Sequence, residues 1–378
     1  MAKPLTSHES FYPAAALYAA LAIPLAMAAM TTQARYLPPG LRTPAGHAHE
    51  MLVGYALAVV AGNQLGSVRP RVVVALLILW VGARVTFLLA PESICSGVAN
   101  AGFAGALAWR LVPRLIGAAK KWRNRALPAV LAALCAMAVY WQFARLSAGH
   151  PMSHTVLLAN VSLFALLMLF MGGRILAPAI AGQFYHQGHN LDARVQPRIE
   201  ATLLCAGMLT SLAVVMPAWH ALAGASAAAS GVLALVRLVR WRLWGVQGRA
   251  DLWCLAAGYA WLGLGLLALG WSLSTGLHGL AATHVVTVGA LGTLTFNVMA
   301  MFWTMRARRG LADVRLIVWG TCLLGAATVF RVFGPFDTAS PWAWMSAAAG
   351  CWTTAFTLLL VLFWRCRAAL RPRREHQG

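Results

Sequence analysis

Long apolar segments recur along almost the whole chain, and they constrain its fold more than any other feature. A helix needs about 20 predominantly apolar residues to cross a hydrocarbon core of roughly 30 Å. Twelve such runs can be marked: residues 14–32, 50–67, 72–90, 95–112, 127–145, 155–178, 199–219, 220–240, 252–272, 280–303, 313–333 and 343–364. Because 60% of the residues are hydrophobic and only 10% are charged, a soluble domain is excluded. The sequence therefore predicts an all-α, polytopic membrane bundle of about twelve helices.

The polar connections between these runs are short. The longest cover residues 33–48, 113–126 and 179–198, and none is long enough to form a separate soluble unit. We therefore expect residues 1–378 to form a single integral membrane domain.

Lysine and arginine lie mainly in alternate loops, around residues 69–71, 110–125, 194–198, 237–249 and 306–309. Positively charged loops face the cytoplasm, so both termini are predicted to be cytoplasmic. The net charge of +21 is spread over these loops rather than gathered into one patch. This distribution argues against nucleic acid as a partner.

With this topology, seven of the eleven histidines fall at or near the outer face: His47, His49, His150, His154, His220, His278 and His284. Imidazole is a good ligand for haem iron, copper and zinc. Histidines at a membrane interface need no metal, but clustering on one side favours a metal-rich region at the outer end of the bundle.

The stretch "RTPAGHAHEM" brings His47, His49 and Glu50 together at the start of the second span. On a regular helix the two histidines point about 200° apart. Either the chain there is not helical and both rings share one metal, or the two rings serve different centres. Glu50 would lie on the face of His47, where a carboxylate can accept the second imidazole N–H and orient the ring.

The tenth span supplies the other strong candidate, His284, followed by Gly289 and Gly292. The glycines leave room for a neighbouring helix or a flat macrocycle. A haem held between two helices takes a histidine from each, so His49 and His284 are the first candidates for axial ligands. His47 and either His220 or His278 are the next candidates for iron or copper.

Arg84 lies within the third span, in "LWVGARVTFLL". A guanidinium inside a bilayer is costly without an anionic partner. Its partner could be Glu50, Glu92 or a haem propionate, or the side chain could extend to the membrane surface. The propionate alternative makes Arg84 a cofactor-binding candidate.

Four stretches, "HAHEMLVGYALAVVAG", "LILWVGAR", "NVSLFALLMLFMGGRILAP" and "THVVTVGALGTLTFNVM", resemble the NnrS family of twelve-helix bacterial inner-membrane proteins. The residues that match are His47, His49, Glu50, Met51, Arg84, Gly173, Arg174, His284, Gly289, Gly292 and Met299. The chain departs from the family pattern at "MRARRGL" and "GGRILAPAIAGQ".

The resemblance implies haem b and copper as cofactors, and nitric oxide as the ligand in a role linked to nitric oxide tolerance. Such a protein would bind nitric oxide or reduce it as an oxidoreductase, with electrons from an unidentified donor. A metal or haem transporter and a non-catalytic gas sensor are the alternatives, because twelve helices with both ends inside are common among transporters.

Overall fold

The computed structural model describes residues 6–32, 34–66, 68–119, 122–147, 150–307, 314–337 and 339–370. Within these ranges the chain forms long helices and no strand. We number the helices α1 (Ser7–Thr32), α2 (44–64), α3 (Pro70–Leu89), α4 (Ile94–Ala118), α5 (Ala126–Ser147), α6 (His150–His186), α7 (Pro197–Ala213), α8 (His220–Arg240), α9 (Ala250–Thr275), α10 (Gly279–Arg306), α11 (Val314–Phe333) and α12 (Pro341–Leu370). Each predicted span overlaps one helix in the same order, so the all-α bundle is confirmed.

Nine of the described helices are long and apolar enough to cross a membrane. The other three are α2, α4 and α7, and α7 has 17 residues, about the shortest length that spans a bilayer. The chain is a multi-pass membrane protein.

The helix ends differ from the predicted spans where hydropathy is a poor guide. The seventh span was predicted to run to residue 219, but α7 ends at Ala213 and a 3₁₀ turn, Pro217–Trp219, leads into α8. Proline lacks the N–H that a continuing helix needs. α6 continues to His186, past the predicted end at 178.

Two of the helices change winding near the same end of the bundle. α2 is α-helical over Pro44–His49, π-helical over Glu50–Ala56 and α-helical again over Leu57–Gln64. α10 has the same sequence of windings, with its π segment at Val285–Gly292. Each π segment begins directly after a histidine, and π segments of this kind are frequent at functional sites.

Consecutive helices run antiparallel, as short loops require. At one end of the bundle, Ser7 at the start of α1 donates to the carbonyl of Gly62 in the last turns of α2, at 3.1 Å. The starts of α2, α8 and α10 therefore lie together at the opposite end, with the end of α11. α2 and α10 also touch directly, because the Tyr55 hydroxyl lies 2.5 Å from the Thr295 hydroxyl. Which end faces the cytoplasm stays a prediction.

Candidate functional site

Glu50 is the centre of a buried polar cluster near the start of α2. Its side chain is fully buried, and it is the first residue of the π segment. One carboxylate oxygen lies 2.5 Å from the Arg84 guanidinium and 3.0 Å from Nδ1 of His49. The other oxygen accepts a hydrogen bond from the Tyr18 hydroxyl. A buried carboxylate is tolerable only with such partners, and here they come from α1, α2 and α3.

Arg84 is held by more than its ion pair. Its second terminal nitrogen donates to the side-chain oxygen of Asn100 on α4, whose amide in turn donates to the Ser96 carbonyl at 2.9 Å. Gly54 in the π segment provides the space, because a Cβ there would lie 2.6 Å from an Arg84 terminal nitrogen.

The partner of Arg84 is thus Glu50, one of the three alternatives that the sequence left open. Glu92 is 79% exposed and lies 3.4 Å from Arg145 instead. Arg84 itself is only 3% exposed, so it does not extend to the surface.

His49 is enclosed on all sides. Its ring stacks between Phe87 at 4.4 Å and Trp141 at 4.1 Å, measured between ring centroids. Nδ1 contacts Glu50, and Nε2 lies 2.9 Å from the side-chain amide nitrogen of Gln142. Both ring nitrogens therefore have protein partners.

His47 points elsewhere. Thr43 caps the helix by accepting from the Gly46 amide at 3.0 Å, so both histidines are helical and their side chains diverge. Of the two arrangements considered, this is the one in which the rings serve different surroundings. The Glu50 carboxylate accepts from His49, not from His47 as the spacing suggested, because Arg84 holds it on the α3 side.

His47 shares its region with His284 and Arg331. All three are partly buried. The charge of Arg331 acts on both rings, and His47 acts on His284. Nδ1 of His47 and one terminal nitrogen of Arg331 are buried without a hydrogen-bond partner. We call these three residues the outer cluster, because the loop charges predict that this end of the bundle faces outward.

His284 makes one backbone contact. Its Nδ1 lies 2.6 Å from the Leu280 carbonyl one turn earlier. A carbonyl can only accept, so Nδ1 carries the proton and Nε2 has the free lone pair. This is the arrangement by which a carbonyl orients a ligating imidazole.

The remaining histidine candidates contact residues outside the outer cluster. Nε2 of His220 lies 3.2 Å from the Val214 carbonyl. His278 is exposed and stacks on Trp271 at 5.6 Å, with Phe336 on its other side at 5.0 Å. The side chains of His150 and His154 lie outside the described residues.

Neighbouring helices fill the space beside the two glycines of the tenth span, Gly289 and Gly292. A Cβ at Gly292 would lie 2.6 Å from Trp352 of α12. One at Gly289 would lie 3.1 Å from Thr328 and 3.2 Å from Trp261. Of the two alternatives for these positions, the structure has helix packing rather than a macrocycle.

Among the residues that the structure describes, no three His, Cys, Asp or Glu side chains gather closely enough to hold a metal ion by themselves. The outer cluster instead offers two imidazoles and a guanidinium. Sequence reasoning missed Arg331, although an arginine inside the apolar run "ATVFRVF" carries the same signal as Arg84. Tyr18 and Gln142 gave no signal, since their roles depend on contacts between helices.

Comparison with known proteins agrees with this architecture. No curated protein gives a significant match. The family model described as "NnrS protein" matches residues 5–373, nearly the whole chain. The chain therefore belongs to the NnrS family.

Proposed function

We propose that the protein binds haem at the outer cluster and acts there on nitric oxide. Membership of the NnrS family supports a nitric oxide-related haem or metal protein. The observation that supports the proposal is that His47 and His284, each from a helix with a π segment, are both close enough to Arg331 to interact with its charge.

The unsatisfied atoms of the outer cluster fit such a group. A buried imidazole nitrogen without a partner, as in His47, costs free energy unless something binds it. The second imidazole, His284, keeps Nε2 available because Nδ1 faces the Leu280 carbonyl. Two imidazoles from two helices are the ligand set of a bis-histidine haem, and either could also ligate copper.

Arg331 fits the anionic edge of a haem better than Arg84 does. The Arg84 guanidinium already has Glu50 and Asn100 as partners. Arg331 has a buried terminal nitrogen with none, and an arginine pairs well with a carboxylate such as a propionate.

His49 takes a supporting role in this proposal. To act as a ligand it would have to leave Glu50 or Gln142 and unstack from Phe87 and Trp141. We propose that it instead anchors the outer turns of α2, which present His47. This role differs from the sequence-based expectation that His49 is an axial ligand.

If one of the two imidazoles left the iron, a bound haem would supply a coordination position for nitric oxide. Reduction of two nitric oxide molecules to nitrous oxide and water consumes two electrons and two protons, so turnover also needs an electron donor. The three cluster residues would position and charge-balance the group. Because membership of the family supports a role related to nitric oxide, we favour action on nitric oxide over transport of a metal or haem.

The test is the metal content and the reduced-minus-oxidised absorption spectrum of detergent-purified protein. We expect wild type to contain iron and show a Soret band, and His47→Ala and His284→Ala to lose most of it. His220→Ala is the matched control and should keep the band, because Nε2 of His220 already lies 3.2 Å from the Val214 carbonyl. Haem retained by both cluster variants would contradict the proposed ligands.

His49→Ala separates the two assignments of that residue. It should lower stability while folded protein keeps its haem; loss of haem from folded His49→Ala would restore it as a ligand. Nitric oxide consumption with excess reductant then distinguishes turnover from sensing, since a sensor would bind the gas to ferrous haem without consuming it.

A further inference from the structure

A second site lies at the opposite end of the bundle. A groove of about 660 Å³ opens along α6, between α7 and the end of α8. One wall is apolar and the other is basic. The apolar wall includes Leu169, Phe170, Val195, Leu203 and Leu204, and the basic wall has Arg174, Arg194 and Arg237.

The positive charge of this groove exceeds what its one acid can balance. Glu200 is the acidic residue that lines it, and its carboxylate lies 2.9 Å from Arg237. Arg237 is 4% exposed and also donates to the Leu169 carbonyl at 3.2 Å. Three arginines against one glutamate leave an excess of two positive charges on the wall.

The groove is built around a buried arginine. A Cβ at Gly173 would overlap the Arg237 guanidinium, so the glycine makes the space that the side chain fills. Nε of Arg237 is buried without a hydrogen-bond partner. Since Arg237 is paired with Glu200, the excess positive charge of the lining comes from Arg174 and Arg194.

Arg174 places a cation directly against the apolar wall. Its guanidinium lies 4.4 Å from the centre of the Phe170 ring and donates to the Asn124 side chain at 2.5 Å. Arg174 and Arg194 are both exposed. A ligand bound here would contact a positive charge and an apolar side chain at the same time.

We propose that this groove binds one anionic phospholipid of the surrounding bilayer, with its phosphate against Arg174 and Arg194 and an acyl chain along the apolar wall. Basic pockets between membrane helices recognise lipid head groups by this combination of charge and apolar surface. The site lies at the other end of the bundle from the outer cluster, so it is independent of the proposed haem.

The test is native mass spectrometry of the detergent-purified full chain titrated with phosphatidylglycerol or phosphatidylcholine. We expect preferential binding of phosphatidylglycerol. Arg174→Gln with Arg194→Gln should weaken it roughly thirtyfold, since each arginine near an anionic lipid contributes about fivefold. The control, Arg110→Gln with Arg240→Gln, removes two exposed arginines outside the groove and should bind as wild type does.

A variant that keeps every charge tests the apolar wall. Val195→Trp fills the groove from a half-exposed position and should also weaken phosphatidylglycerol binding. Equal losses in the groove and control variants, or unchanged binding in the groove variant, would overturn the proposal. Displacement of the lipid by an equal concentration of glycerol phosphate would identify a soluble anion as the ligand and refute the lipid assignment.

Discussion

The buried ion pair between Glu50 and Arg84 makes a quantitative prediction. The two side chains are 0% and 4% exposed, and their charged atoms lie 2.5 Å apart. Arg84→Met leaves the carboxylate buried with only Tyr18 and His49 as partners. Removing one partner of a buried pair costs about 3–5 kcal/mol of unfolding free energy, because the remaining charge is uncompensated.

Glu50→Gln with Arg84→Met removes both charges. We expect the double variant to recover stability relative to Arg84→Met alone, so the two effects are strongly non-additive. The measurement is reversible unfolding in mixed micelles by increasing sodium dodecyl sulfate, followed by circular dichroism.

Arg249→Met is the control for this experiment. Arg249 pairs with Asp251 at 2.7 Å, but its side chain is 40% exposed, and exposed pairs contribute about 0–1 kcal/mol. A cost for Arg84→Met no larger than the cost for Arg249→Met would refute the argument. So would a double variant whose cost equals the sum of the two single variants.

Two further predictions concern the packing of α2, and a third concerns the orientation of the chain in the membrane. Gly54→Ala should destabilise by about 1–3 kcal/mol, the range for overpacking, because its Cβ would lie 2.6 Å from Arg84; the same unfolding assay checks it. Tyr55→Phe should cost about 0.5–1.5 kcal/mol through loss of the hydroxyl contact with Thr295, and Thr295→Val should add little to it. Reporters fused before Lys3 and after residue 378 should both be active only as cytoplasmic reporters, as the loop charges predict; periplasmic activity of either would contradict the assigned orientation.

Hydropathy was sufficient to predict the bundle because the bilayer imposes one length and one composition on every span. It placed α8 at residues 220–240, in agreement with His220–Arg240. It could not predict how far a helix continues beyond the membrane, as in α6, which runs to His186. Helix extension there depends on loop contacts that leave no apolar signal.

Some contacts of individual candidate residues were predictable from the sequence, but the full set of contacts was not. The cost of burying Arg84 correctly indicated an anionic partner, and Glu50 was one of the alternatives. Helical periodicity correctly indicated that His47 and His49 diverge if both are helical. Nothing in the spacing indicated that Phe87 and Trp141 would enclose His49, because those contacts depend on the packing of α3 and α5.

The two π segments explain why periodicity could not assign the partner of His47. A π turn bonds residue i to i+5, so it holds about one residue more than an α turn, and one residue corresponds to about 100° of rotation. The first turns of α2 and α10 are therefore rotated relative to the rest of each helix. A regular 3.6-residue repeat does not predict this rotation. The Tyr55–Thr295 contact fixes the two helices against each other, with His47 and His284 on the outer side of the two windings. Because of the π segments, the directions of His47 and His284 cannot be read from a regular helical projection of the packed faces of α2 and α10.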